Sequence, residues 1–134
     1  MAERVFTPQE ANAALAQVRP VAERMVECHG RLVEARARHA AIGEKVAGNG
    51  GGIDRRDVLE VHEEVERAGR EVAHCLEELG RLGVVVKSIA SGLLDFPAVR
   101  DGEGVLLCWR VGEPEVAYWH GLDEGFAGRK PLPL

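Results

Sequence analysis

Apolar residues recur at steps of three and four over two long stretches of the chain, which is the spacing of an amphipathic helix. The first stretch starts at Thr7 in FTPQE, where threonine, proline and glutamate form a capping pattern for a helix N-terminus. The second stretch follows Asp54, a residue type that caps helices well. The pattern therefore predicts two long helices, over residues 7–47 and 54–82.

Glycine and proline indicate where these helices end or bend. The segment GNGGG, residues 48–52, is too costly in conformational entropy to stay helical, so we expect it to connect the two helices. Pro20 removes one backbone hydrogen bond inside the first helix, which predicts a kink near Arg19 or a short helix followed by a longer one. A short connection predicts an antiparallel, coiled-coil-like hairpin whose facing apolar seams include Cys28 and Cys75.

After Gly83 the apolar pattern changes to one typical of strands separated by turns. Four segments within residues 84–120 predict three or four antiparallel strands: Val84–Ile89, Leu93–Pro97, Val105–Val111 and Val116–His120. Residues 121–134 are predicted to be loop and tail. The fold prediction is one α+β domain over residues 1–134, a long antiparallel helical hairpin followed by a small antiparallel β-sheet.

The last hairpin of this sheet decides which side chains share a face. If Gly112–Glu115 forms a four-residue turn, Cys108 lies opposite Trp119. In that register Cys108 and His120 point to opposite faces, which argues against a shared metal ion or a Cys–His nucleophile pair. A slip of one residue would reverse this relation, because side chains alternate between the two faces of a strand.

Composition narrows the classes of function. Apolar residues make up 46% and charged residues 29% of the chain, which is typical of a soluble globular protein. The net charge of −5, with arginines and glutamates interleaved on the first helix, disfavours nucleic-acid binding. We expect no membrane span and no secretory signal. Three cysteines without a disulfide framework favour a reducing cytoplasm.

Two mirrored pairs, Cys28-His29 and His74-Cys75, suggest a metal site between the helices. Adjacent helical residues project about 100° apart, so these pairs fit two core cysteines beside flanking histidines better than one four-ligand site. Glu71 and His74 have the Glu-x-x-His spacing of di-iron bundles, and with His29 they form a second, weaker metal candidate. GNGGG lacks the Gly-Lys-Ser/Thr of a phosphate-binding loop.

The carboxyl-terminal part holds the residues best able to do chemistry. Asp95, Glu113 and His120 are candidate ligands of a divalent metal or small molecule, or acid–base groups, and Arg129 is a candidate anion clamp. His120 ends a predicted strand, although a histidine bonded only to backbone is a simpler alternative. Asp95 interrupts an apolar run, where it either points outward or pairs with Arg100 or Arg129.

Four segments, FTPQEANAAL, GLLDFPA, VLLCWRVGEPEVAYWH and GFAGRKPL, resemble an uncharacterised family of small bacterial proteins catalogued only as a domain of unknown function. The resemblance covers nearly the whole chain, and the mirrored pairs on the helices lie outside its pattern, GLxDFPA…LCWxxGEPxxxxWH…GFxGRxPL. It implies no activity, but it directs attention to the polar residues of that pattern. The pattern residues are Gly92, Asp95, Pro97, Cys108, Trp109, Gly112, Glu113, Trp119, His120, Gly125, Phe126 and Arg129.

Two classes of function stay open on the sequence. The first is a small cytoplasmic interaction or scaffold protein that forms a homodimer through its helices, because a two-helix hairpin buries only a narrow seam and the chain has no complete catalytic motif. The second is a metal- or small-ligand-binding protein, with or without enzymatic activity, whose site lies on the sheet around Asp95, Glu113 and His120. A pocket that brings His120 near a carboxylate favours the second class.

Overall fold

Two helices are followed by a five-stranded antiparallel sheet in this computed structural model, which describes residues 4–48, 52 and 54–134. The α+β prediction is confirmed, with one strand more than the three or four predicted. The extra strand lies in the segment predicted to be loop and tail, after a 3₁₀ turn over Phe126–Gly128. The elements are α1 (Pro8–Ala47), α2 (Arg55–Arg81), β1 (Val85–Ser88), β2 (Leu93–Arg100), β3 (Glu103–Arg110), β4 (Tyr118–Gly121) and β5 (Lys130–Pro131).

Helix α1 begins with the predicted cap. The Thr7 hydroxyl accepts a hydrogen bond from the Glu10 amide at 3.1 Å, and the Glu10 carboxylate accepts one from the Thr7 amide at 2.9 Å. The helix continues through Pro20, so of the two predicted alternatives the short helix followed by a longer one is wrong. Val18 and Val21 are buried on either side of the proline, and their packing outweighs its cost of about 3 kcal/mol.

The connection between the helices falls mostly outside the described residues. Helix α1 ends at Ala47 and α2 starts after the predicted cap Asp54, whose carboxylate accepts a hydrogen bond from the Arg56 amide. Residues 49–51 of GNGGG and residue 53 are not described.

Within the described residues, neither helix contains an apolar stretch long enough to cross a bilayer.

The apolar seams of the two helices divide into two buried clusters. Cys75 belongs to the larger cluster, which joins both helices to the sheet. Cys28 belongs to a smaller cluster between the helices, against which Ile89 also packs. Both cysteines are buried, as their seam positions predict. Among the residues whose burial is described, 36–46 and 55–60 contribute to neither cluster, so this end of the hairpin has little core of its own.

The two faces of the sheet differ in chemistry because side chains alternate along each strand. One face packs on the helices and is apolar and fully buried, with Leu94 and Phe96 from β2 opposite Trp109 and Leu107 from β3. The other face carries Asp95 next to Cys108. The centre of this second face, at Asp95, Cys108 and His120, is also shielded from solvent, so the polar groups there need partners within the protein.

The register between β3 and β4 corrects the sequence prediction. Cys108 pairs with Tyr118, not with Trp119, and Leu106 pairs with His120. The prediction is wrong by one residue, and this slip places Cys108 and His120 on the same face of the sheet. The prediction that they point to opposite faces is therefore also wrong.

The physical cause of the shift is the long connection over residues 111–117, which is held by α1. The Asn12 side chain bonds both the amide and the carbonyl of Val116, at 2.7 and 3.1 Å. The Arg19 guanidinium donates to the carbonyls of Glu113 and Pro114, at 3.0 and 2.8 Å. These contacts with a distant helix replace the tight four-residue turn that local sequence predicts.

Candidate metal centre

Three neighbouring strands bring together the side chains of Asp95, Cys108 and His120. One potential ligand atom from each residue lies within 4.8 Å of the other two. The residues are 0%, 1% and 2% exposed, respectively. Among the described residues, no other group of three histidine, cysteine, aspartate or glutamate side chains comes this close. The cross-strand register therefore creates a compact, buried set of oxygen, sulfur and nitrogen donors.

The hydrogen bonds of His120 determine which ring nitrogen carries a proton. Nδ1 lies 2.8 Å from the carbonyl oxygen of Gly121. A carbonyl only accepts, so Nδ1 carries the hydrogen and donates it. In the neutral imidazole, Nε2 then has a free lone pair, and it faces Asp95 Oδ1 at 3.0 Å. Metal-binding histidines use the same arrangement, with one nitrogen bonded to backbone and the other directed at the ion.

Asp95 is buried without enough partners for its carboxyl group. Oδ1 faces His120, but Oδ2 is buried and has no hydrogen-bond partner. Burial raises the pKa of the Asp95 carboxyl, and the opposing effect of His120 is smaller. A buried oxygen without a partner costs about 1–3 kcal/mol, so its persistence calls for an explanation.

Cys108 is a free, buried thiol and the one residue of this group that sequence reasoning excluded. Burial raises the pKa of its thiol, whereas the nearby Arg129 guanidinium lowers it. A signal for its environment was present in the sequence, because VLLCW is apolar at successive positions. That pattern is typical of a strand covered on both faces, where a neighbouring Asp95 is buried as well.

Glu113 and Arg129, two of the predicted site residues, bind each other beside this group. Arg129 Nη1 and Nη2 donate to the two Glu113 carboxylate oxygens at 3.0 and 2.5 Å. Burial alone would raise the pKa of Glu113, but the Arg129 bonds and the Arg110 amide together hold it below its usual value. The Arg129 guanidinium, predicted to bind an anionic ligand, therefore binds the Glu113 carboxylate of the same chain.

The metal candidate on the helices has different surroundings. His29, Glu71 and His74 do not form a group with ligand atoms within 4.8 Å of one another. Glu71 accepts a hydrogen bond from the Cys28 thiol at 3.0 Å. His74 is mostly exposed and contacts Glu78, one turn along α2, at 2.8 Å.

Comparison with known proteins identifies a family but no characterised relative. A family model described as "Uncharacterized conserved protein (DUF2203)" matches residues 4–132. No curated protein and no solved structure matches the chain. The predicted resemblance to a domain of unknown function is confirmed over nearly the whole chain.

Proposed function

Because the chain belongs to the DUF2203 family of uncharacterized conserved proteins, whose description carries no activity, we propose a function from the site itself. The protein binds one zinc ion through Asp95 Oδ1, Cys108 Sγ and His120 Nε2. The ion links β2, β3 and β4 on the face of the sheet opposite the helices.

The observation that carries this proposal is the contact between His120 Nε2 and Asp95 Oδ1. With Nδ1 committed to the Gly121 carbonyl, a neutral imidazole and a carboxylate present two lone pairs to each other at 3.0 Å. Two acceptors at this distance repel unless a positive charge lies between them. A proton satisfies the pair, and a metal ion satisfies the pair together with the nearby sulfur. Metal binding is therefore expected to release protons from the site.

The donor set fits zinc in chemistry and in charge. Zinc takes cysteine sulfur, histidine nitrogen and carboxylate oxygen at about 2.0–2.3 Å in tetrahedral geometry. Those bond lengths place ligand atoms roughly 3.3–3.8 Å apart, so a longest separation of 4.8 Å needs a contraction of about 1 Å. One thiolate and one carboxylate neutralise a divalent ion, which reduces the electrostatic cost of burial. Thiolate coordination also favours zinc over magnesium or calcium.

The burial of the ligands favours metal binding over catalysis at the ion. Catalytic zinc sites also use three protein ligands, but they leave a fourth position open to water and substrate. Here each of the three ligands is at most 2% exposed. Asp95 Oδ2, the buried oxygen without a partner, completes the four donor atoms of the proposed site in place of an open water position. A cavity of about 600 Å³ lies beside Gly121 and Trp119, but the three ligand side chains do not line it.

We place the protein in the cytoplasm, where a free Cys108 thiol stays reduced.

Elemental analysis of zinc-loaded protein after gel filtration tests this proposal. We expect about one zinc per chain in the wild type, and at least a tenfold lower content in His120→Ala. His74→Ala is the matched control, because it removes an exposed histidine outside the site and should retain zinc.

Asp95→Asn provides a second variant of nearly unchanged size if His120→Ala fails to fold. It removes the carboxylate charge and should also lose zinc. Wild-type protein that leaves the column without zinc, or a His120→Ala variant that keeps it, would contradict the proposal.

A second proposal, self-association through the helices, draws on the exposed apolar residues of the hairpin. Val33, Val46 and Leu59 are 52%, 62% and 57% exposed. Val46 and Leu59 lie in the end of the hairpin that has little buried core, and Val33 lies just before it on α1. A second copy of the chain would cover these side chains. We expect a homodimer, and sedimentation of the wild type over a range of concentrations tests for it. A monomer at all concentrations would contradict this second proposal.

A further inference from the structure

We propose that Arg129 is a positioning residue of the metal centre and donates a hydrogen bond to the Cys108 thiolate when the ion is bound. This inference rests on the zinc-binding function proposed above. It gives Arg129 a role different from the anion clamp expected from the sequence, because the guanidinium acts on a ligand of the ion.

The geometry that supports this role begins with the position of the guanidinium. Arg129 Nη1 lies 3.9 Å from Cys108 Sγ while it also donates to Glu113 Oε1 at 3.0 Å. A neutral thiol is only a weak acceptor, which agrees with the long contact. A metal-bound thiolate carries negative charge, and a hydrogen bond from a guanidinium to such an acceptor is shorter and stronger.

Surrounding residues hold Arg129 in this orientation. Its guanidinium carbon lies 3.9 Å from the centre of the Tyr118 ring and 4.1 Å from that of Phe126. Glu113 binds two of its nitrogens, and Glu113 itself accepts a hydrogen bond from the Arg110 amide at 2.8 Å. The Arg129 side chain is only 15% exposed. Little side-chain entropy is lost when this donor engages the sulfur, since the guanidinium is already fixed.

Glu113 also resolves an electrostatic conflict. A lone guanidinium near a cation site would repel the incoming ion. The Glu113 carboxylate balances that charge, so the Arg129–Glu113 pair presents an N–H donor to the sulfur without net positive charge. Hydrogen bonds from residues around a metal site typically change metal affinity by 10–100-fold.

Cobalt(II), a spectroscopic substitute for zinc, tests the proposal in the intact 134-residue chain. The thiolate-to-cobalt charge-transfer band reports the energy of the sulfur electrons, and the visible bands of the ion report its geometry. The double variant Arg129→Met, Glu113→Gln removes the donor and its balancing charge together. We expect its charge-transfer band at lower energy, unchanged visible bands and about tenfold weaker cobalt binding.

Arg110→Met is the matched control. The Arg110 guanidinium also lies over the Phe126 ring, at 4.8 Å, but it makes no hydrogen bond to Cys108, and its amide still bonds Glu113. We expect the charge-transfer band and the cobalt affinity of this variant to match those of the wild type. A shift of similar size in Arg110→Met would mean that packing around Phe126 causes the effect, and would overturn the inference.

The outcomes separate this inference from the function on which it rests. A wild-type protein without a thiolate-to-cobalt band contradicts the metal site itself. A wild-type band that keeps its energy in the double variant overturns only the role of Arg129. If the double variant does not fold, Arg129→Lys decides by the same criterion. That variant keeps the charge but lacks the planar fork that reaches Glu113 and Cys108 together, so a smaller shift in the same direction is expected.

Discussion

Zinc is expected to raise the free energy of unfolding by about 4 kcal/mol when its free concentration is a thousandfold above the dissociation constant. The reason is that Asp95, Cys108 and His120 lie on three different strands and come together only in the folded chain. An ion bound by all three residues therefore stabilises the folded state with little competing affinity for the unfolded one. Urea unfolding with zinc and with a chelator measures this difference.

Two cysteine variants provide a matched comparison for this stabilisation. Cys108→Ser and Cys75→Ser each replace a buried thiol by a hydroxyl, and both should lower the baseline stability. Only Cys108→Ser should lose the zinc-dependent increase, because Cys75 lies between the helices and the sheet, outside the site. An equal zinc-dependent increase in the two variants would contradict zinc coordination by Cys108.

Replacing Glu113 with glutamine is expected to lower the free energy of unfolding by about 2 kcal/mol at neutral pH. The substitution removes the carboxylate that binds both Arg129 nitrogens and leaves a largely buried guanidinium without its ion partner. Because the pair is 15–18% exposed, we expect less than the roughly 3–5 kcal/mol typical of breaking a fully buried pair.

The difference in the free energy of unfolding between the wild type and Glu113→Gln should depend on pH in a defined direction. The pKa of Glu113 is lower in the folded state than in the unfolded chain, where it is about 4.3. The folded state therefore gains stability from this group above about pH 4.3, and loses it as the pH falls through the lower, folded-state pKa.

Urea unfolding of chelator-treated protein from pH 7 down to about 3 measures the effect, with zinc absent so that the metal site does not contribute. Glu115→Gln, an exposed change in the same connection, should stay within about 0.5 kcal/mol of the wild type throughout. A difference for Glu113→Gln that is independent of pH would mean that its carboxylate charge is not the cause.

The fold follows from the sequence to a large extent because its signals are local. The spacing of apolar residues predicts both helices, and the Thr7–Glu10 cap places the start of α1. The change of period after Gly83 and the turn residues predict the antiparallel sheet that follows. Each of these signals acts within a few residues, so it does not depend on the rest of the molecule. Two parts of the site, Asp95 and His120, were also recognisable as polar residues in apolar strands.

The composition of the site was decided only by the tertiary structure. Cys108 joins Asp95 and His120 because β3 and β4 pair one residue away from the predicted register. That register depends on contacts from Asn12 and Arg19 of α1 to a connection about a hundred residues later in the chain. Turn propensities describe only local conformations and carry no information on such contacts. Side chains alternate between the two faces along a strand. A register difference of one residue therefore places the Cys108 thiol on the same face as His120, where the predicted register had placed it on the opposite face.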